Sequence, residues 1–119
     1  MTLDEVIREL ELDTIAGPGF STEPGREVTG GYASDLLSCV MAGAKAGNIW
    51  ITLQAHPNVV AVASLLELAA VIITEGASPD PETTSKAQEM HIALLSTPKD
   101  TFTVAGELAA LGIRGQITG

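Results

Sequence analysis

Apolar runs of strand length alternate with helix-like segments through the second half of this chain. Such runs fall at 49–53, 69–73 and 92–95. Each is followed by a segment with Pro near its start, a position where Pro fits the first turn of a helix. Alternation of this kind builds a mainly parallel sheet with right-handed crossovers and helices on both faces. The sequence therefore predicts an α/β fold, arranged as a three-layer sandwich.

The first part of the chain predicts one helix and two short strands. Thr2 and Glu5 have the spacing of a capping box, which predicts a helix through about Leu10. A short, weakly strand-like segment follows at 13–17, and a second short strand is predicted at 26–29. The loop between them, 18–25, is rich in Gly and Pro.

A pair of glycines leads into the next predicted helix. The chain reads Thr29-Gly30-Gly31, and Ser34 or Asp35 is expected to cap a helix that runs through Ala46. Backbone N–H groups gathered at a helix start suit an anion or the polar edge of a ligand. The alternative is a tight turn in which glycine allows close packing.

Polar residues also follow the predicted strand at 49–53. The carboxyl ends of parallel strands form one edge of a sheet, and ligands of α/β proteins bind there. His56 suits ligand binding or proton transfer, although a His before Pro57 could equally cap the next helix. We predict that this loop and the glycine turn open onto a common concave edge. The predicted ligand-binding residues are Thr29, Gly30, Gly31, Asp35, Gln54, His56 and Asn58.

Composition argues against several classes of function. The formal net charge of −9 repels phosphate backbones, so we expect no nucleic-acid binding. The single Cys39 cannot form an internal disulfide, which fits a cytoplasmic location, and no apolar run nears the ~20 residues of a membrane span. Cys39, His56 and His91 are not expected to converge, so no metal or other cofactor is predicted. Glu75, just past a central strand, is the one acid whose position suggests a role.

Length and composition also indicate how the chain is organised. At 119 residues it can form a single domain over 1–119, with a loose tail at about 115–119. Aromatic residues make up only 3% of the chain, so the core is expected to consist of Ala, Val, Ile and Leu. A chain this small leaves apolar surface that is hard to cover, and we therefore expect a homodimer.

Three ordered segments resemble DRTGG-domain proteins: Val28–Ser38, Trp50–Ala63 and Ile92–Pro98. Where the family reads Asp-Arg-Thr-Gly-Gly, this chain has Glu27-Val28-Thr29-Gly30-Gly31, without the Arg that could pair with a phosphate. The resemblance implies a fold like the N-terminal domain of HPr kinase/phosphorylase. It is strongest to the small stand-alone members, which are often encoded near iron-only hydrogenase genes. The chain has no Gly-x-x-x-x-Gly-Lys-Ser/Thr phosphate loop, so a kinase activity does not carry over.

From these observations we expect a non-catalytic regulatory or interaction module. It would bind a nucleotide or another small polar ligand, or a partner protein. One alternative is a small phosphate-handling enzyme with His56 as acid and base. The other is an accessory protein of hydrogenase assembly or electron transfer.

Overall fold

One sheet organises the part of the chain that the computed structural model describes, residues 1–17 and 25–115. Its strands are β1 (Asp13–Ala16), β2 (Gly30–Ala33), β3 (Asn48–Thr52), β4 (Ala70–Ile73) and β5 (Leu94–Ser96). They lie in the order β1-β5-β4-β3-β2. Strands β2 to β5 are parallel to their neighbours, and β1 runs antiparallel to β5. The prediction of a mainly parallel sheet is confirmed.

Helices cover both faces of this sheet. They are α1 (Leu3–Leu10), α2 (Leu37–Gly43), α3 (Asn58–Leu65), α4 (Pro81–Met90) and α5 (Thr101–Ala110). Because β2 to β5 are adjacent in sequence order, right-handed crossovers place their three connecting helices on the same face. Helices α2, α3 and α4 pack there, while α1 and α5 pack on the other face. The three-layer arrangement is confirmed.

The two central strands carry the core. Every residue of β3 and β4 is buried, as expected for strands covered on both sides. Alternate residues serve opposite layers: Ile49 and Ile51 pack with α1 and α5, whereas Trp50 packs with α2 and α3. The side chains of β3 and β4 therefore form the centre of both packed layers.

Several predicted elements occur where the sequence indicated them. Helix α1 begins after Thr2, whose Oγ1 accepts the N–H of Glu5 at 3.3 Å. Strand β1 lies inside the segment predicted at 13–17. Most of the predicted loop at 18–25 and of the predicted tail at 115–119 lies outside the described residues. None of the helices in the described part of the chain has the length and apolar character that crossing a membrane requires.

The predictions around the glycine pair were wrong in register. Gly30 and Gly31 lie within β2, opposite Asn48 and Ile49 of β3, whereas the strand had been predicted at 26–29. Pairing with a buried neighbour outweighs the low strand preference of glycine. Helix α2 begins at Leu37 and ends at Gly43, before the predicted end at Ala46. No side chain caps its start, so neither Ser34 nor Asp35 is the predicted cap.

Candidate functional site

Asp35 joins the carboxyl ends of β2 and β3. Its Oδ1 accepts the hydroxyl of Thr52 at 2.8 Å and the N–H of Leu53 at 2.9 Å. The amide Nε2 of Gln54 donates in return to the Asp35 carbonyl at 3.1 Å. The carboxylate that was expected to cap a helix therefore holds the next strand's loop in place.

The same hydrogen-bond chain continues across β4 to the start of α5. Thr74 Oγ1 donates to the Thr52 carbonyl at 3.4 Å and lies 2.7 Å from Thr101 Oγ1. The Thr101 N–H donates to Glu75 Oε2 at 2.9 Å. Contacts through Thr52, Thr74 and Thr101 thus link one carboxylate, Asp35, to another, Glu75. We call this set, with Gln54, the strand-end network.

His56 and Asn58 lie beside this network, at the start of α3. His56 is exposed, and its Nδ1 accepts the N–H of Asn58 at 3.1 Å. With Nδ1 occupied, the neutral ring presents Nε2–H to solvent. The imidazole therefore accepts the N–H of the first residue of α3, whose N-cap residue is Pro57, and still offers a donor at the rim.

Thr29, Gly30 and Gly31 lie at the other end of the sheet. They precede or begin β2, whereas Gln54 and His56 follow the end of β3. The glycine segment and the loop after β3 are separated by about four residues of parallel strand, which span about 13 Å at the usual rise per residue. The expectation that both loops share one concave edge is therefore wrong.

Local packing accounts for the residues of the glycine turn. Thr29 Oγ1 donates to the Ala46 carbonyl at 2.9 Å and accepts from Asn48 Nδ2 at 3.1 Å. The Gly31 N–H donates to the Arg114 carbonyl at 3.1 Å. A Cβ at Gly30 would lie 2.7 Å from that same carbonyl oxygen, so the close approach of this segment requires glycine.

A cleft of about 340 Å³ opens at the strand-end side, next to β5. Its lining includes Asp13, Ser96 and Thr97, together with the loop that follows Gly76. The described residues contain no group of three or more His, Cys, Asp or Glu side chains placed to hold a metal ion.

The sequence carried a signal for part of this network. Threonine ends or directly follows three apolar strands, at Thr52, Thr74 and Thr97, and all three side chains are buried. Buried hydroxyls need partners, so threonines at successive strand ends indicate a hydrogen-bonded edge. Thr101 carries no comparable signal, because the sequence predicted that α5 opens at Thr97 and Pro98.

Helix α5 begins instead at Thr101, after the cap Asp100. Its Oδ1 accepts the N–H of Thr103 at 2.7 Å, and this hydrogen bond lowers the pKa of the Asp100 carboxyl. A lowered folded-state pKa stabilises the protein above the unfolded value of about 3.9, and that contribution disappears as the pH falls through the folded-state pKa.

We predict that Asp100→Ala lowers the melting temperature by a few degrees at pH 7. The difference from the unmodified chain should shrink below about pH 4, where the carboxyl becomes protonated. Asp100→Asn, which keeps a capping oxygen without a charge, should lose less. Thermal unfolding at pH 7 and pH 3 measures this, and an equal deficit at both values would contradict the ionic contribution.

Comparisons with known proteins bear on this fold. A family model described as "DRTGG domain" matches residues 33–111, a range that includes Asp35, His56 and Thr101 but begins after the glycine pair. A comparison with curated proteins found no match.

One solved structure is similar over most of the chain. It is the crystal structure of the CBS and DRTGG domains of the regulatory region of Clostridium perfringens pyrophosphatase, complexed with the activator diadenosine tetraphosphate. The TM-score is 0.68 at 21% identity, covering 90% of this chain and 45% of that chain. The chain thus spans less than half the length of this neighbour, and the similarity concerns the fold.

Proposed function

This chain belongs to the DRTGG domain family, and from that premise we propose that it is a non-catalytic regulatory module that binds a nucleotide. The observation that carries the proposal is the strand-end network, which fixes polar groups from three strand ends and one helix start at a single edge. Ligands of parallel sheets bind at this edge. The activator of the structural neighbour is itself a nucleotide, which supports the choice of ligand class.

We assign different roles to the predicted residues. Asp35 positions the loop after β3 through its two Oδ1 hydrogen bonds. Gln54 belongs to the network, and His56 and Asn58 lie beside it at the start of α3, so we assign ligand contact to these three residues. The glycine turn, 29–31, serves packing at the opposite edge.

The charges at this edge favour the nucleoside part of the ligand over its phosphates. Asp35 and Glu75 are carboxylates, which accept hydrogen bonds from hydroxyl and amino groups. Lys99, a cation near Glu75, is engaged by Glu107 at 3.0 Å and donates to the Leu10 carbonyl at 3.3 Å. We therefore propose that adenosine binds and that inorganic phosphate does not.

Location and assembly are part of the same proposal. The single Cys39 among 119 residues fits a cytoplasmic protein. A regulatory module acts by contacting a partner, and we propose that it does so as a homodimer. The hydrogenase-accessory and enzyme alternatives become outcomes of the experiment below.

Thermal unfolding with adenosine, AMP, ATP, diadenosine tetraphosphate and inorganic phosphate tests the proposal. At a hundredfold excess over the Kd, a bound nucleotide should raise the free energy of unfolding by about 2.7 kcal/mol. His56→Asn keeps an oxygen for the Asn58 N–H and removes the ring, so it should weaken binding. His91→Asn is the matched control, because His91 lies at the end of α4.

Three results would contradict the proposal. The first is the absence of a shift with every nucleotide, and the second is an equal loss of binding in the two His variants. The third is turnover of a nucleotide that His56→Asn abolishes, which would favour the enzyme. Copurification with hydrogenase subunits, without any small-molecule shift, would favour the accessory role.

A further inference from the structure

The side of the molecule around β2 is nearly free of charge in the described part of the chain. Strand β2 is an edge strand, with α2 beside it on one face of the sheet and α5 on the other. Helix α2 has no charged residue, and the single charge of α5, Glu107, pairs with Lys99. The exposed positions of the two helices are Ser38, Cys39, Met41 and Ala42, and Phe102, Thr103, Gly106, Ala109 and Ala110.

Helices α1 and α4 follow the ordinary surface pattern, whereas α3, which also lacks charged residues, is mostly buried and exposes only Asn58 and Leu65. Helix α1 exposes Asp4, Arg8 and Glu9, and α4 exposes Glu82 and Glu89. A helix that faces water usually places charges on its outer side. The chain has a net charge of −9, yet the exposed positions of α2 and α5 carry no charged residue. Their outer surfaces therefore indicate contact with another protein surface rather than with water.

A groove and a projecting aromatic ring lie on this side. The groove, of about 580 Å³, runs between β2 and α5 and is lined by Ala33, Ile51, Ala105 and Ala109, among others. Phe102 is 86% exposed and precedes the groove-lining Ala109 by seven residues, about two helical turns, which places it on the same side of α5. Contiguous exposed apolar surface marks interaction sites, and buried aromatic anchors carry much of the binding energy at interfaces. We call β2, α2, α5 and this groove the β2 face.

We propose that a second copy of this chain docks on the β2 face to form a two-fold symmetric dimer. Charge complementarity favours another copy. Arg114, at the start of β2, is the only charged residue that lines the groove among the described residues, and Asp35 follows the end of β2. A two-fold axis across the middle of β2 reverses the strand direction. It therefore sets Arg114 of one copy opposite Asp35 of the other.

Side chains rather than added strand pairing form this interface. The outward N–H of Gly31 already donates to the Arg114 carbonyl at 3.1 Å, which blocks continuous pairing along the edge. Phe102 and the groove lie side by side on each copy. In a two-fold dimer the Phe102 ring of each copy packs against the groove of the other, so the same surface serves on both sides, as an isologous interface requires.

Sedimentation analysis over a range of concentrations tests the assembly. The unmodified chain should sediment at about twice its 12.3 kDa mass. Ala109→Glu places a charge inside the face and should raise the dimer dissociation constant by about a hundredfold or more. Gln88→Glu introduces the same charge at an exposed position of α4 and should leave the dimer intact.

The charge pairing has its own matched variants. Arg114→Glu should raise the dissociation constant, whereas Arg8→Glu, on exposed α1, should not. A chain that stays monomeric at its highest soluble concentration overturns the proposal. So does a dimer that Ala109→Glu and Gln88→Glu affect equally, and equal effects of the two Arg variants overturn the pairing. None of these readouts depends on nucleotide binding.

Discussion

Trp50→Ala should lower the free energy of unfolding by about 3–5 kcal/mol. The indole is 0% exposed and is the largest fully buried side chain, packed between the sheet and the helices α2 and α3. Its Nε1–H also donates to the Ser34 carbonyl at 2.8 Å. Truncation leaves a cavity and an unpaired carbonyl next to Asp35. Because domains are stable by only about 5–15 kcal/mol, this single change removes a large fraction of the total.

Urea unfolding of Trp50→Ala and Trp50→Phe separates the two contributions. Phe keeps most of the apolar volume and removes the hydrogen bond, so its loss should be the smaller. A loss below about 1 kcal/mol for the Ala variant would contradict the burial argument. If the strand-end network forms the ligand site, both variants should also weaken nucleotide binding, since Ser34 precedes Asp35.

Gly30→Ala should destabilise the protein by about 1–3 kcal/mol, whereas Gly31→Ala should change stability little. A Cβ at Gly30 would lie 2.7 Å from the Arg114 carbonyl oxygen and 3.1 Å from Asn48 Nδ2, so backbone must move. At Gly31 the closest atom would be Ile113 Cγ2, at an ordinary 3.7 Å. Replacement by Ala is thus predicted to lower the free energy of unfolding at Gly30 and to leave it nearly unchanged at Gly31.

Denaturant unfolding of the two variants measures this difference. Their nucleotide affinities, measured in parallel, separate packing from ligand contact, because the packing role predicts that folded Gly30→Ala and Gly31→Ala bind normally. Equal stability of the two variants would contradict the close approach of Arg114. A specific loss of nucleotide binding in folded Gly31→Ala would indicate that the glycine pair contacts the ligand after all.

The sequence predicted the elements in which local and global signals agree. Strands β3 and β4 are apolar runs between turns, and Thr2 with Glu5 indicated the start of α1, so their positions were correct to within a residue or two. Strand β2 was missed because Gly30 and Gly31 have low strand preference by themselves. Only their pairing with β3 and the proximity of Arg114, distant in sequence, make them a strand.

The sequence predicted which residues along the chain belong to the candidate site, but not the hydrogen bonds that link them across strands. Gln54 and His56 were identified because they follow a clear strand, and they do lie at the carboxyl edge. Asp35 was predicted as a helix cap or as a ligand-binding carboxylate at the sheet edge, since sequence spacing cannot reveal a partner in another strand. Its contact with Thr52 depends on the register of β2 against β3, which no local pattern encodes.

The antiparallel pairing of β1 with β5 has a consequence for how the chain reaches its native state. Strands β2 to β5 can associate in order as each emerges during synthesis, since every one lies next to its predecessor. Strand β1, by contrast, can pair only after β5 has been synthesised, because Thr14 lies opposite Leu95. Closing so long a loop carries an entropic cost and slows formation of the contact. Strand β1 is synthesised before the other four strands of this sheet and is therefore among the last to find its partner.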